Sequence, residues 1–447
     1  MRRKDIPAGH LPGHWHGLSW LTEMKIWIDP RLSYRGIIRY TLQLAAFNRQ
    51  VEFRFVTERT DAELLVSEEP DSDLFLHGTF YRSLLKGDFN HKHHFPSSSI
   101  IHDETGRIDH LATIYYCSNS LQERADGVSD PLGRFKYESS YQARFDNVFL
   151  NLVQDTIDDL FRTHPKLSRM TVKDRPTRIF LTHDIDTVYG AWKEDGMRAL
   201  RYGRIDKLFR LVVNILFRRP DWLNMDKIIL LEEAAGVRSV FYWLLYKDRV
   251  NADYDFRSRE LQAMYQYVKH KGWESGIHKS MHGHPFSVEL KRMPDEVRSN
   301  RYHFLRFKVP AAYRELEQTG LQMDTSLGFT EQWGFRNSYG LPFMPYDQEG
   351  DRVFRVLEVP LHVMDRTFYR DQVHASQASG MVIDWMEQNR KNCVFTFNFH
   401  NNFFYSFKYY GYTRFYTGLL KWMKESNVGC ITEAELIREF HRPELFS

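Results

Sequence analysis

Two short clusters of ionisable side chains carry spacing that chemistry can use. Thr182-His183-Asp184-Ile185-Asp186 sets carboxylates at i and i+2, directly after the strand-like stretch Arg178–Leu181. In parallel α/β architectures functional side chains gather where strands end. Two carboxylates there can approach one centre, one binding a cation and the other handling protons. The plainer alternative is a helix N-cap followed by a surface acid. His278-Lys279-Ser280-Met281-His282 sets two imidazoles at i and i+4, after the strand-like Trp273–Ile277. That spacing predicts one face of a helical turn and two nitrogen ligands for one divalent ion. Position 279 is Lys, so no base stands between the histidines as it does in the metalloprotease HExxH pattern. Two histidines and one carboxylate form a facial set that leaves positions open for water and substrate.

His400 follows the apolar stretch Val394–Phe399 and precedes Asn401-Asn402. A lone histidine at a strand end is more often structural than catalytic. Arg336 lies in the turn-rich run Gly334-Phe335-Arg336-Asn337-Ser338-Tyr339-Gly340-Leu341-Pro342, where a surface arginine is the bland expectation.

Positioning such residues requires strands. Strands are predicted at Arg178–Thr182, Arg238–Leu245, Trp273–Ile277, Phe354–Val359 and Val394–Phe399. Helices are predicted at 205–217, 225–235, Leu261–His270, Phe304–Thr319 and Thr413–Ser426. This alternation implies a parallel sheet with helices outside it, a barrel or an open sheet. The proline- and charge-rich segment His164–Thr177 marks a boundary. Before it, residues 21–165 read as an N-terminal α/β domain with strands at Met24–Ile28, Val51–Val56 and Ala62–Val66 and helices at Tyr40–Ala46 and Asn147–Phe161. Residues 1–20 read as a tail, and Phe89–His94 (FNHKHH) as an exposed loop.

The four chemistry-bearing elements, in this order, resemble the polysaccharide deacetylase family of metal-dependent carbohydrate esterases. The resemblance covers about residues 176–440. It implies a distorted (β/α) barrel of about seven strands over residues 176–447, preceded by the smaller α/β domain. Asp184-Ile185-Asp186 resembles the family's Asp-pair motif, which implies Asp184 as general base and Asp186 as metal ligand. His278 and His282 match its two-histidine motif, with the small hydroxyl residue one position late at Ser280. The lead-in Glu274-Ser275-Gly276-Ile277 is similar too. Arg336 with Pro342 is the nearest match to a third motif whose arginine holds the catalytic Asp, and Arg306 is its rival. His400 resembles the general acid of the fifth motif, and Asp365 is the one candidate for the fourth. Ile108-Asp109-His110-Leu111-Ala112-Thr113 and Gly133-Arg134-Phe135 are similar to the domain that precedes the catalytic one in a bacterial subgroup.

What the resemblance implies is hydrolysis of an N-acetyl group on an amino-sugar-containing glycan or glycoconjugate, with a divalent metal ion, zinc fitting best. The alternatives are a catalytically degenerate carbohydrate-binding protein and a hydrolase of the same fold acting on a non-sugar amide.

Composition narrows the surroundings. The 447 residues allow two or three domains. A net charge of +3 from 61 basic and 58 acidic side chains predicts no strong attraction to nucleic acid or anionic membrane. The three cysteines, Cys117, Cys393 and Cys430, make neither a disulfide framework nor a CxxC site, which favours a reducing compartment. The N-terminus lacks an apolar signal region, no run approaches the roughly 20 residues that span a bilayer, and a cytoplasmic location is expected. The nearest apolar run, Leu208–Phe217, is predicted to be an amphipathic helix packed on a core, with membrane-surface association as the alternative.

Overall fold

The computed structural model describes residues 23–446 except 90–94, 96, 97, 104, 125–127, 218, 282 and 283. The expected tail and the three histidines of the FNHKHH loop therefore lie outside the described residues.

A small parallel sheet opens the chain. Glu23–Ile28 (β1) lies between Glu52–Phe55 (β2) and Leu64–Val66 (β3). Helix Arg35–Arg49 forms beside it and is buried on all sides from Tyr40 to Arg49, whereas Leu152–Thr163 presents one apolar stripe to the core.

The second sheet is larger. Its strands are Arg178–Ile185 (β4), Ser239–Trp243 (β5), Glu274–Lys279 (β6), Ser299–Tyr302 (β7) and Met323–Asp324 (β8). After an antiparallel pair, Tyr346–Asp347 (β9) with Arg352–Val353 (β10), come Leu357–Glu358 (β11), Val363–Met364 (β12), Val394–Asn398 (β13) and Gly429–Cys430 (β14). The hydrogen-bonded order is β11-β8-β7-β6-β5-β4-β13-β12, with β14 also on β4, and each of these pairings is parallel. Among the described residues nine strands thus stand in place of the expected seven or so, and the sheet curls into an open half-barrel. β5 and β13 are rich in apolar and aromatic residues because helices cover the sheet and bury every residue of both, the polar Ser239, Thr396 and Asn398 included.

Register fixes which side chains meet. His278 stands opposite Arg301 across β6 and β7, and Asn398 stands opposite Thr182 across β13 and β4. One hydrophobic core runs from Met24 to Phe440 and includes residues of both sheets. Across it, the Tyr40 hydroxyl donates to the Met344 carbonyl, and Asn48 donates to the Tyr339 hydroxyl.

Two sequence expectations change. The helix expected over Phe304–Thr319 shrinks to Ala311–Glu317, because residues 303–305 form a tight turn with positive φ at Phe304 and Leu305. The helix Ile205–Leu216 forms, yet it does not pack its apolar face on the core, since Leu211 is its one buried residue.

Candidate active site

Side chains alternate along a strand, so β4 turns Thr182 and Asp184 one way and His183 the other. His183 is buried behind the sheet, with Nε2 2.9 Å from Glu232 and Nδ1 2.9 Å from the Phe399 carbonyl, a structural histidine. Asp184 faces a cavity of about 390 Å³ at the carboxyl ends of the strands, together with Asp186, His278, His303 and His400.

The two aspartates differ in their partners. Asp184 accepts from Arg301 Nη1 at 2.9 Å and from Asn398 Nδ2 at 2.7 Å. Burial opposes its ionisation, but the Arg301 guanidinium and the neighbouring imidazoles outweigh that and hold its carboxyl below the usual range. Asp186 Oδ2 accepts from Arg366 at 2.9 Å, while its buried Oδ1 accepts no hydrogen bond. Burial opposes ionisation here as well, and His278, His400, His303 and Arg366 overcome it to push this carboxyl well below the usual range.

Three histidines surround Asp186. His278 Nε2 lies 3.4 Å from Oδ1, and His303 Nε2 and His400 Nε2 lie 3.9 Å and 3.6 Å from Oδ2. Each ring is oriented by a bond on its far nitrogen. His278 Nδ1 donates to the Arg301 carbonyl at 2.8 Å, and His303 Nδ1 sits 3.1 Å from Asn251 Oδ1. His400 Nδ1 meets Asp365 Oδ1 at 2.7 Å, and the other Asp365 oxygen accepts the His400 backbone N–H. Such partners fix the tautomer and leave Nε2 aimed at the cavity. Burial lowers the pKa of His303 to about 3, so its ring is neutral at pH 7 with a lone pair to offer. Burial opposes charging of His278 too, but Asp184 and Asp186 raise its pKa above the ordinary value.

Asp186, His278 and His303 offer donor atoms that lie within 4.8 Å of one another, close enough to converge on one divalent ion. The orphaned Asp186 Oδ1 and the His₂Asp donor set both fit such an ion. The third expected ligand, His282, lies outside the described residues. His278 itself is strand, the penultimate residue of β6, so the predicted helical turn does not begin there. Below it, buried Glu289 accepts from Lys279 Nζ at 2.7 Å and from Ser280 Oγ at 2.6 Å, pinning the exit of β6.

Arg336 is not at Asp184. It makes a bidentate pair with Glu123, at 2.8 and 2.7 Å, and donates to the Gly328 carbonyl at 2.9 Å. It fastens the loop after β8 to the N-terminal region. Arg306 is not at Asp184 either: it is exposed and donates to the carbonyls of Leu132 and Met281. The contact expected of either is made by Arg301, which also donates to Thr182 Oγ1 and to the Thr325 carbonyl and is fully buried. Asp365, the candidate for the fourth motif, lies behind His400 as its carboxylate partner.

Arg301, His303, Asn398 and Arg366 escaped the sequence reading. One signal was available: Arg301 and His303 repeat at the exit of β7 the i, i+2 spacing of Asp184 and Asp186. The strained turn around Phe304, whose ring stacks on His303 at 3.8 Å, is a further mark of a functional position.

No family model matches the sequence, and no curated protein matches it. Among solved structures the chain is similar to a candidate polysaccharide deacetylase from Mycobacterium smegmatis, with TM-score 0.39 and 11% identity over 61% of this chain and 92% of that one. It is also similar to a mutant of a CE4 family pseudoenzyme with restored enzymatic activity, with TM-score 0.28 and 11% identity over 61% of this chain and 74% of that one. Both likenesses are weak.

Proposed function

We propose that this chain is a metal-dependent hydrolase that removes the N-acetyl group from an amino-sugar-containing glycan or glycoconjugate. One observation carries the reading: a buried carboxylate with an orphaned oxygen stands among three oriented imidazoles, beside a second carboxylate held ionised by a guanidinium. Asp186, His278 and His303 would hold the cation, and zinc suits two imidazoles and one carboxylate. Bound there, such an ion supplies Lewis acidity toward the acetamide oxygen and acidifies water.

The chain's own groups do the rest. Asp184 takes a proton from the attacking water, and Arg301 and Asn398 keep it ionised and aimed. The water oxygen adds to the acetyl carbon, the C–N bond breaks, and acetate and a free amine leave. His400, protonated at Nε2 and held by Asp365, gives its proton to the departing nitrogen, without which an amine leaves poorly. The orienting role first expected of Arg336 belongs to Arg301 in this scheme. Tyr369, half-buried on the cavity wall, offers an aromatic face to a sugar ring. Residues 176–447 carry the chemistry, and residues 21–165 form a supporting unit that lends Arg134 to the cavity rim.

The test is acetate release from N-acetylhexosamine oligomers by protein of measured metal content. Turnover that needs about one metal per chain supports the reading, and metal-loaded protein inert on every such oligomer overturns it. One contact favours the degenerate carbohydrate-binding reading: Arg366 Nη2 neutralises Asp186 as a cation would. On that reading wild-type protein binds no metal, and Arg366→Ala gains affinity for it.

A further inference from the structure

The helices Ala191–Arg201 and Ile205–Leu216 pack on each other as a hairpin. In the second helix Ile205, Phe209, Val212 and Leu216 recur at i, i+4, i+7 and i+11, a single stripe along a helix. The stripe faces solvent: Ile205 is 76%, Phe209 70% and Leu216 72% exposed. Met197 and Leu200 of the first helix, at 76% and 70%, and Phe217, at 67%, extend it. Scattered exposed apolar residues are ordinary, but a continuous apolar face marks an interaction surface.

Charge identifies the partner. Residues 191–219 contain eight basic and three acidic side chains, a net +5 in a chain whose total is +3, so the other residues sum to −2. Lys193, Arg201, Arg204, Arg210 and Arg219 of this segment are exposed. Two copies meeting through this face would set +5 against +5, whereas an anionic bilayer complements the apolar stripe and the charge together. Long basic side chains lay their stems along apolar surface and keep their heads at the phosphate level.

We propose that the hairpin 191–217 docks the protein on an anionic lipid bilayer surface. Its apolar stripe enters the headgroup boundary and its arginines and lysines engage lipid phosphates. It lies on the surface rather than crossing, since no described helix is long and apolar enough to span a membrane. The hairpin is also joined to the cavity wall. Asp195 accepts from Ser406 Oγ and from the backbone N–H groups of Phe407 and Lys408, and Glu194 accepts from the Tyr409 hydroxyl at 2.8 Å. Tyr409 lines the cavity that holds Asp184 and Asp186.

Sedimentation of the full chain with lipid vesicles tests this independently of any hydrolytic activity. Phosphatidylcholine vesicles containing phosphatidylglycerol should bind it at least tenfold more tightly than phosphatidylcholine alone, and high salt should weaken the binding. The double variants F209S/L216S and R201E/R210E should each lose at least tenfold in affinity. All four side chains are exposed, so circular dichroism and Tm should stay as in the wild type. Failure to bind the anionic vesicles, or binding that survives both double variants, would overturn the proposal. So would a dimer that F209S/L216S abolishes, found without vesicle binding.

Discussion

Arg301 and Arg336 are both buried, and each is paired with a carboxylate, but they sit in regions built for different purposes. Arg301 projects from β7 to the buried side of the cavity carboxylate Asp184, where its Nη1 serves Asp184 and Thr182. Arg336 leaves a loop and closes a fork on Glu123, joining two parts of the chain far from each other in sequence. A buried ion pair, then, does not mark a site by itself. What separates the two is the carboxylate's surroundings: Asp184 stands next to an orphaned carboxylate oxygen and three imidazoles, while Glu123 meets the arginine that ties down a loop.

The comparison breaks most sharply on the carboxylates. Asp184→Asn should lower kcat by 10²–10⁴, the range for loss of a general base, while metal content stays at the wild-type level. His303→Ala should instead lose metal and turnover together, and metal retained in that variant would remove His303 from the ligand set. On the arginines, Arg301→Met should cut kcat by about 10- to 100-fold, as loss of an orienting partner does, at unchanged metal content. Arg336→Met should leave the kcat of the folded enzyme within a few-fold while destabilising it by roughly 3–5 kcal/mol, the cost of breaking a buried pair, seen as a lower Tm. A turnover loss in Arg336→Met as large as in Arg301→Met would erase the distinction.

Glu433 sharpens it at smaller amplitude. This buried carboxyl is held by Ser299 Oγ, and burial with nearby Glu274 pushes its pKa up to about 8. A carboxyl whose pKa is raised by folding contributes stability that is lost as pH rises from about 4.5 in the unfolded chain through the folded value. Glu433→Gln should therefore lose less Tm than the wild type between pH 6 and pH 9. Equal losses would remove Glu433 as the cause.

How far the sequence reached follows from what each strand buries. β5 and β13 are mostly apolar and aromatic and announced themselves, and with them came His400. β4 ends in the paired aspartates and was equally legible. β7 was silent because its residues, Ser-Asn-Arg-Tyr, are polar and yet all buried. Ser299 bonds Glu433, Asn300 bonds Asp324 and Tyr302 bonds Glu315, so polar partners rather than an apolar face hold the strand and no hydrophobic period betrays it. That one silent strand holds Arg301 and leads into His303, so the conspicuous Gly/Pro loop of Arg336 stands out in the sequence instead. The hairpin misled for a different reason. Its 3.6-residue period was correct, but periodicity does not say whether the apolar stripe faces a core or the outside, and a total charge of +3 conceals a +5 segment.

The central claim concerns where one cation sits. Anomalous diffraction at the zinc edge, from crystals of the protein soaked in zinc, locates it directly. The account predicts a single strong peak within about 2.0–2.2 Å of Asp186 and of the Nε2 atoms of His278 and His303, with Asp184 outside bonding distance. A peak ligated without Asp186 and His303, or none in the cavity, would contradict it.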